Sequence, residues 1–168
     1  MLVARAEAKK AYGYLAGFGI ARDQTATTSD WGSNHHAVVT AMRAAIDDAG
    51  LTMRDIDAIY ASANSTRRAD RVEYCAIQEL FGDAAPPVVA TKGFFGEYAA
   101  GGALQLVAAL LAIDEQALHP SCGFEYGDGE MRIDVVRERR AATLHNVLVN
   151  SISAGGGIVC AVISREAA

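Results

Sequence analysis

Several residue types are scarce in this chain, and each shortage removes a class of protein. Among its 168 residues there are three cysteines, Cys75, Cys122 and Cys160, too scattered for the paired spacing of a structural metal site. An odd, dispersed count also excludes a disulfide-stapled scaffold and fits reduced thiols in a cytoplasmic protein. Histidine is limited to His35, His36, His119 and His145. The last two stand alone, and the adjacent pair is expected to diverge on a helix and share no metal, so no metal ligand set is read. Positive charge is in deficit, with 15 Lys and Arg against 20 Asp and Glu and a net charge of −5. That balance argues against a general nucleic-acid surface or an anionic-membrane surface, both of which need clustered basic groups. No apolar run approaches the ~18 residues of a membrane span. The opening MLVARAEAKK mixes charge with apolar residues and does not read as a signal peptide. Repeats, low-complexity tracts and linkers are missing too. What remains is a 51% hydrophobic, 21% charged chain, long enough to bury one sizeable core.

Hydrophobic periodicity orders that chain. Residues 1–11 read as a leading helix segment. A strand over 11–21 places Tyr12, Tyr14, Ala16, Phe18 and Ile20 on one face and Gly13, Gly17 and Gly19 on the other, where small residues admit a neighbouring layer. A polar loop follows, then a helix over 34–49 with Val38, Met42, Ala45 and Ile46 on one face and Gly50 as its stop. A strand over 55–61, a helix over 70–81, a short strand over 87–90 and an almost wholly apolar helix over 99–113 come next. Such a helix must be covered on most sides. After a loop over 119–132, two apolar runs around Gly155-Gly156-Gly157 form a hairpin. The order β-α-β-α-β-α-β-β predicts one α/β domain over 1–168, a mostly parallel sheet covered by helices with an antiparallel hairpin at one edge.

No complete catalytic set stands out, and the triple glycine lacks both the spacing of a phosphate loop and a following helix. Three segments are more informative together. Residues 59–66, IYASANST, end a strand in small hydroxyl and amide groups. Residues 90–97, ATKGFFGE, leave a strand and open a helix, and 150–157, NSISAGGG, join the last two strands. In a parallel sheet the first two would face one crevice at the strand ends.

At these residues the chain resembles the C-terminal half of a β-ketoacyl synthase of the thiolase fold. The family's D-A-G-L, D-I-D and A-H-G-T-S-T stand here as Asp48-Ala49-Gly50-Leu51, Asp55-Ile56-Asp57 and Ala61-Ser62-Ala63-Asn64-Ser65-Thr66. Asp70, Glu73 and Ala76-Ile77, with Phe81-Gly82, match its next helix. Its T-K-S-x-x-G-H stands as Thr91-Lys92-Gly93-Phe94-Phe95-Gly96-Glu97, and its N-S-F-G-F-G-G as Asn150-Ser151-Ile152-Ser153-Ala154-Gly155-Gly156. The resemblance implies a thiolase-like half-domain with a five-stranded mixed sheet. It also implies that a complete member duplicates this unit and builds its site between the halves, so the length predicts a partner.

The departures shape the functional expectation. Both histidines that serve decarboxylation and condensation in active synthases are replaced, by Ser62 and Glu97, and the family's cysteine nucleophile belongs to the other half. A carboxylate beside a developing oxyanion repels it. The gating phenylalanine corresponds to Ala154. Lys92 persists, with Asp70, Glu73 and Asn150 as candidates for its buried polar network. Thr66 persists on the side of the phosphopantetheine arm, with Asn64 replacing its companion threonine. The pattern resembles the chain length factors of type II polyketide assembly, which keep the fold without the catalytic residues. It implies a partner synthase subunit or N-terminal half-chain, and an acyl carrier protein whose phosphopantetheine is the substrate arm, with no covalently bound cofactor of its own. The alternative is the C-terminal half of a split synthase, active only with its other half.

Overall fold

The computed structural model describes residues 10–127 and 129–167. The leading helix expected at the start falls largely outside the described residues, and Lys10 and Ala11 carry no regular structure. The main elements are β1 (Tyr14–Arg22), α1 (His35–Asp48), β2 (Ala58–Ala61), α2 (Arg67–Phe81), β3 (Val88–Ala90), α3 (Lys92–Phe95) and α4 (Gly101–Glu115). Two-residue strands β4 (Ala117–Leu118) and β5 (Arg140–Ala141) pair with each other, and β6 (Asn146–Ile152) and β7 (Gly157–Ser164) complete the main sheet.

That sheet has five strands in the order β1-β7-β6-β2-β3. β6, β2 and β3 are parallel neighbours, whereas β7 runs antiparallel to both β6 and β1. Here the structure corrects the sequence reading: the hairpin occupies the middle of a mixed sheet, and β1 takes the edge. Alternation shows which residues of a strand are buried, but not which distant strand it will pair with.

The two faces are covered unequally. α1 and α2 pack Met42, Ala45, Ile46, Ala76 and Ile77 against Ile59, Leu148, Ile158, Cys160 and Val162. α4 packs Ala109, Ala112 and Ile113 against Tyr60, Val147, Val149 and Ile163 on the opposite face. The approach of α1 to β1 depends on glycine: a Cβ at Gly19 would lie 2.1 Å from the Ala41 carbonyl oxygen, and one at Gly17 2.4 Å from that of Ala45. A bulge between Leu15 and Gly17 reverses the alternation of β1. Gly13 therefore faces Leu110 of α4 rather than sharing the face of Gly17 and Gly19.

α4 is not covered on most sides. Leu104, Val107 and Leu111 remain exposed, as do Leu15, Phe18 and Ile20 on β1 and Val159 on β7, from 38% at Leu104 to 65% at Ile20. Ile20 lies directly opposite Val159 in the β1–β7 ladder, so strand and helix residues together leave one side of the molecule apolar. No helix among the described residues is long and apolar enough to cross a membrane.

Candidate functional site

The parallel strands β6, β2 and β3 end at Ile152, Ala61 and Ala90, and the next residues converge at that edge. Ser62 is buried immediately after β2. Its backbone N–H donates to Glu73 Oε1 at 2.9 Å. Its hydroxyl donates to the Ile152 carbonyl at 3.2 Å and accepts from the Ile152 N–H and from Lys92 Nζ, both at 3.0 Å. Lys92, the first residue of α3, also pairs with Glu97 Oε2 at 2.6 Å. The short α3 ends at Gly96, whose φ of +80° turns the chain so that Glu97 comes back over Lys92. Asn64 Nδ2 donates to the same Glu97 oxygen at 2.8 Å.

A second tier lies beneath. The Asn64 N–H donates to Asp70 Oδ1 at 3.0 Å, and Asn64 Oδ1 accepts from the Thr66 N–H at 3.0 Å, a local turn that starts α2. Asn150 Nδ2 donates to Glu73 Oε1 at 2.8 Å. Burial pushes the Glu73 carboxyl up to about 7, and Asp70's charge adds to the effect, while the bonds from Ser62 and Asn150 and the Lys92 ammonium oppose it. Burial raises Asp70 as well, against hydrogen bonds from Asn64 and Ser65 and the attraction of Lys92. Cys160, buried opposite Asn150, is held well above the usual thiol range by burial and by Glu73. It is therefore a protonated core residue rather than a nucleophile. Cys75 is only half-buried and Cys122 is exposed.

The structure thus brings Ser62, Asn64, Asp70, Glu73, Lys92, Glu97 and Asn150 into one connected network. The direct partners of Lys92 are Ser62 and Glu97, whereas Asp70 and Glu73 reach it only through their charge. Ala154 lies exposed in the β6–β7 turn, where Gly155 and Gly156 adopt φ of +87° and +83°. Thr66 N-caps α2 without a side-chain cap bond. Gly93, a serine in the family motif, sits where a Cβ would come within 2.1 Å of the Cys122 carbonyl oxygen, so the 121–127 segment packs against α3 only because that side chain is missing.

Gln105 joins the site without having been singled out from sequence: it is buried, and its Nε2 donates to the Ala61 carbonyl at 2.6 Å. The signal was available, because Gln105 is the one polar side chain in the stretch 101–113. An open cleft of about 980 Å³ lies above the network, lined by Asn64, Arg67, Lys92, Glu97, Cys122 and Tyr126 among others. A smaller cavity of about 390 Å³ reaches Asp70 and Glu73 from between α2 and the segment ending at Arg137.

This arrangement holds charge and shape but supplies no activated nucleophile. The Ser62 hydroxyl has three partners, and the Lys92 ammonium is bonded to a carboxylate. Away from the cleft, the structure corrects the expectation that His35 and His36 diverge, since both rings address the Glu79 carboxylate on α2.

The comparisons with known proteins agree with this fold. Residues 12–125 match the family described as beta-ketoacyl synthase, C-terminal domain, and the chain belongs to that family. It is 34% identical over 128 residues to the tetracenomycin polyketide synthase ketoacyl synthase beta subunit of Streptomyces glaucescens, covering 75% of this chain and 31% of that protein. It is 33% identical over 158 residues to 3-oxoacyl-[acyl-carrier-protein] synthase 2 of Coxiella burnetii, covering 92% of this chain and 38% of that one. The solved structure of the ishigamide ketosynthase/chain length factor matches with a TM-score of 0.86 at 28% identity, over 93% of this chain and 38% of that one. The chain therefore spans about a third of the length of the curated relatives it matches, and its fold is the thiolase-like α/β half-domain.

Proposed function

We propose that this chain serves as a ketosynthase-like unit without catalytic histidines, a chain-length-factor-like partner of an active β-ketoacyl synthase in type II polyketide or fatty-acid assembly. One observation carries the reading. The two positions where active synthases keep imidazoles are occupied by groups bound into internal structure: Ser62 to the Ile152 backbone and Lys92, and Glu97 to Lys92 at 2.6 Å. Neither can present a neutral donor to a thioester oxygen, and Glu97 places negative charge where an oxyanion would form. The likeness to a ketoacyl synthase beta subunit and to a ketosynthase/chain length factor supports the same assignment.

In this reading the network is scaffolding. Lys92 and Ser62 tie the ends of β2, β3 and β6 together, and the cleft above them receives the phosphopantetheine arm of an acyl carrier protein as substrate. Asn64 and Thr66 lie on that side, and Ala154 leaves the β6–β7 turn without a bulky gate. The apolar side formed by α4, β1 and β7 packs against the rest of the ketosynthase fold, whichever chain carries it.

The test is reconstitution with an N-terminal half and an active synthase subunit, assayed for product from malonyl-acyl carrier protein. Removing a donor to an oxyanion lowers turnover by ~10²–10³. Glu97→Ala and Ser62→Ala are expected to show no such loss while the product length shifts with changes at the cleft. A loss of that size in either variant would instead establish a split synthase that uses both halves.

A further inference from the structure

Three side chains with ligand atoms meet where α1 begins, beside the later turns of α2. His35 Nε2 and His36 Nδ1 each lie 3.0 Å from one oxygen, Glu79 Oε2. The ligand atoms of all three residues lie within 4.8 Å of one another. Neighbours on a helix point ~100° apart, and here the difference is absorbed by reach. One ring uses its far nitrogen and the other its near one, leaving the ring centroids 4.2 Å apart at a tilt of 36°.

Hydrogen bonding alone accounts for half of this arrangement. α1 has no acidic residue in its own first turn, and Glu79 supplies from α2 the negative charge that a helix N-terminus favours. One imidazole, His35, would suffice to hold that carboxylate in place. The second ring crowds a like group onto the same oxygen, and two protonated rings at this separation repel. A divalent cation converts the crowding into coordination.

From this geometry we infer that His35, His36 and Glu79 bind a divalent transition-metal ion, with zinc as the expected ion. The ligands are His35 Nε2, His36 Nδ1 and a Glu79 carboxylate oxygen, and a fourth position is open to water. Zinc bonds of ~2.0–2.1 Å in a tetrahedron place ligand atoms ~3.3 Å apart, so the two nitrogen–oxygen separations of 3.0 Å need open by only a few tenths of an ångström, and the two nitrogens already lie within 4.8 Å of each other. Two imidazoles select zinc, copper or nickel over calcium and magnesium, which prefer all-oxygen sets. The single carboxylate leaves the ligand set with one negative charge against a doubly charged ion. Side-chain exposures of 32%, 69% and 40% give the ion a path in. The site belongs to the α1–α2 layer, on the opposite side of the sheet from α4, so covering the apolar side leaves it accessible. Bound metal would bridge α1 to α2 and stabilise the folded chain by linkage.

The test uses the chelator-treated full chain carrying Cys122→Ser, because Cys122 is an exposed thiol that would compete for zinc. It is titrated with zinc chloride by calorimetry, and in parallel with cobalt(II) by visible absorption. One ion per chain is expected, with a cobalt spectrum free of thiolate charge transfer. Losing even an outer-sphere partner weakens metal sites by ~10–100-fold, so Glu79→Gln and His36→Ala are each expected to weaken binding at least about that much, with the circular dichroism spectrum unchanged. Absence of saturable binding, or affinity unaltered by both variants, overturns the assignment. A cobalt spectrum with sulfur charge transfer, pointing to Cys75 or Cys160, overturns it as well.

Discussion

Glu73 Oε1 accepts hydrogen bonds from the Ser62 N–H and Asn150 Nδ2, yet burial outweighs both and lifts the carboxyl from its ordinary 4.5 to about 7. The sign follows directly. Between those values the folded state holds a proton that the unfolded chain releases, so stability is full below the unfolded value and declines as pH rises through the folded one. The whole effect is about 3 kcal/mol, and Asp70, shifted the same way, adds to it. Glu73→Gln keeps an acceptor oxygen without the charge. Urea unfolding at pH 5 and pH 8 is expected to show the variant gaining roughly 2 kcal/mol on the parent chain between the two conditions, because part of the effect is already lost at pH 5; parallel pH profiles would remove this account of the buried carboxyl. The departures at Ser62 and Glu97 were legible in the sequence because they fall inside recognisable motifs. Their partners were not. The Lys92–Glu97 pair depends on the left-handed turn at Gly96, and Ser62 meets the backbone of a residue 90 positions away, which leaves no side-chain signature. The meeting of His35 and His36 at Glu79 is hidden in the sequence for a related reason: helix geometry fixes where the bonds to Cβ point, not which ring nitrogen reaches a third group.

At the scale of elements, glycines in this chain act in two physically different ways. Gly19 is required by space, since its missing Cβ would lie 2.1 Å from the Ala41 carbonyl oxygen on α1. Gly50 is required by conformation: its φ is +68° and nothing lies within 4 Å of a built Cβ. Gly19→Ala must push a helix off the sheet and is expected to lose about 3 kcal/mol, whereas Gly50→Ala meets only left-handed strain and loses about 1 kcal/mol. Urea midpoints of the two variants test the distinction, and equal losses would contradict it. The same contrast between local and non-local forces divides what the sequence reveals of the fold. α1, α2, β6 and β7 follow from periodicity and their stop glycines, because each is set by its own burial pattern. β2 is shorter than its apolar run because Asp55 Oδ2 accepts from both the N–H and the hydroxyl of Thr52, closing a tight turn over Met53–Asp55. The central place of the hairpin, the edge place of β1 and the bulge that turns Gly13 toward α4 all depend on pairing between opposite ends of the chain, which no window of sequence contains.

On the scale of the whole molecule, the sheet has one covered face and one that α4 covers only in part. Phe18, Ile20 and Val159 on the strands and Leu104, Val107 and Leu111 on the helix leave apolar surface where a self-contained domain would place charge. Burying such surface is worth roughly 25 cal/mol per Å², and stable association needs about 800 Å² from each partner, a size that a strand pair and a four-turn helix can supply together. The proposed role therefore makes a specific demand on this side. Ile20→Lys with Val107→Glu places two charges within it while leaving the core layers intact, and exposed substitutions of this kind change stability by only about ±0.5 kcal/mol. Sedimentation velocity over a range of concentrations is expected to show the parent chain associating, with itself or with an added N-terminal half, and the double variant remaining monomeric in both cases. The urea midpoint separates the causes: an unchanged midpoint with lost association locates the partner on this side. A double variant that associates as the parent does would mean that the partner docks elsewhere, and the proposal that the side formed by α4, β1 and β7 packs against the rest of the ketosynthase fold would fall with it.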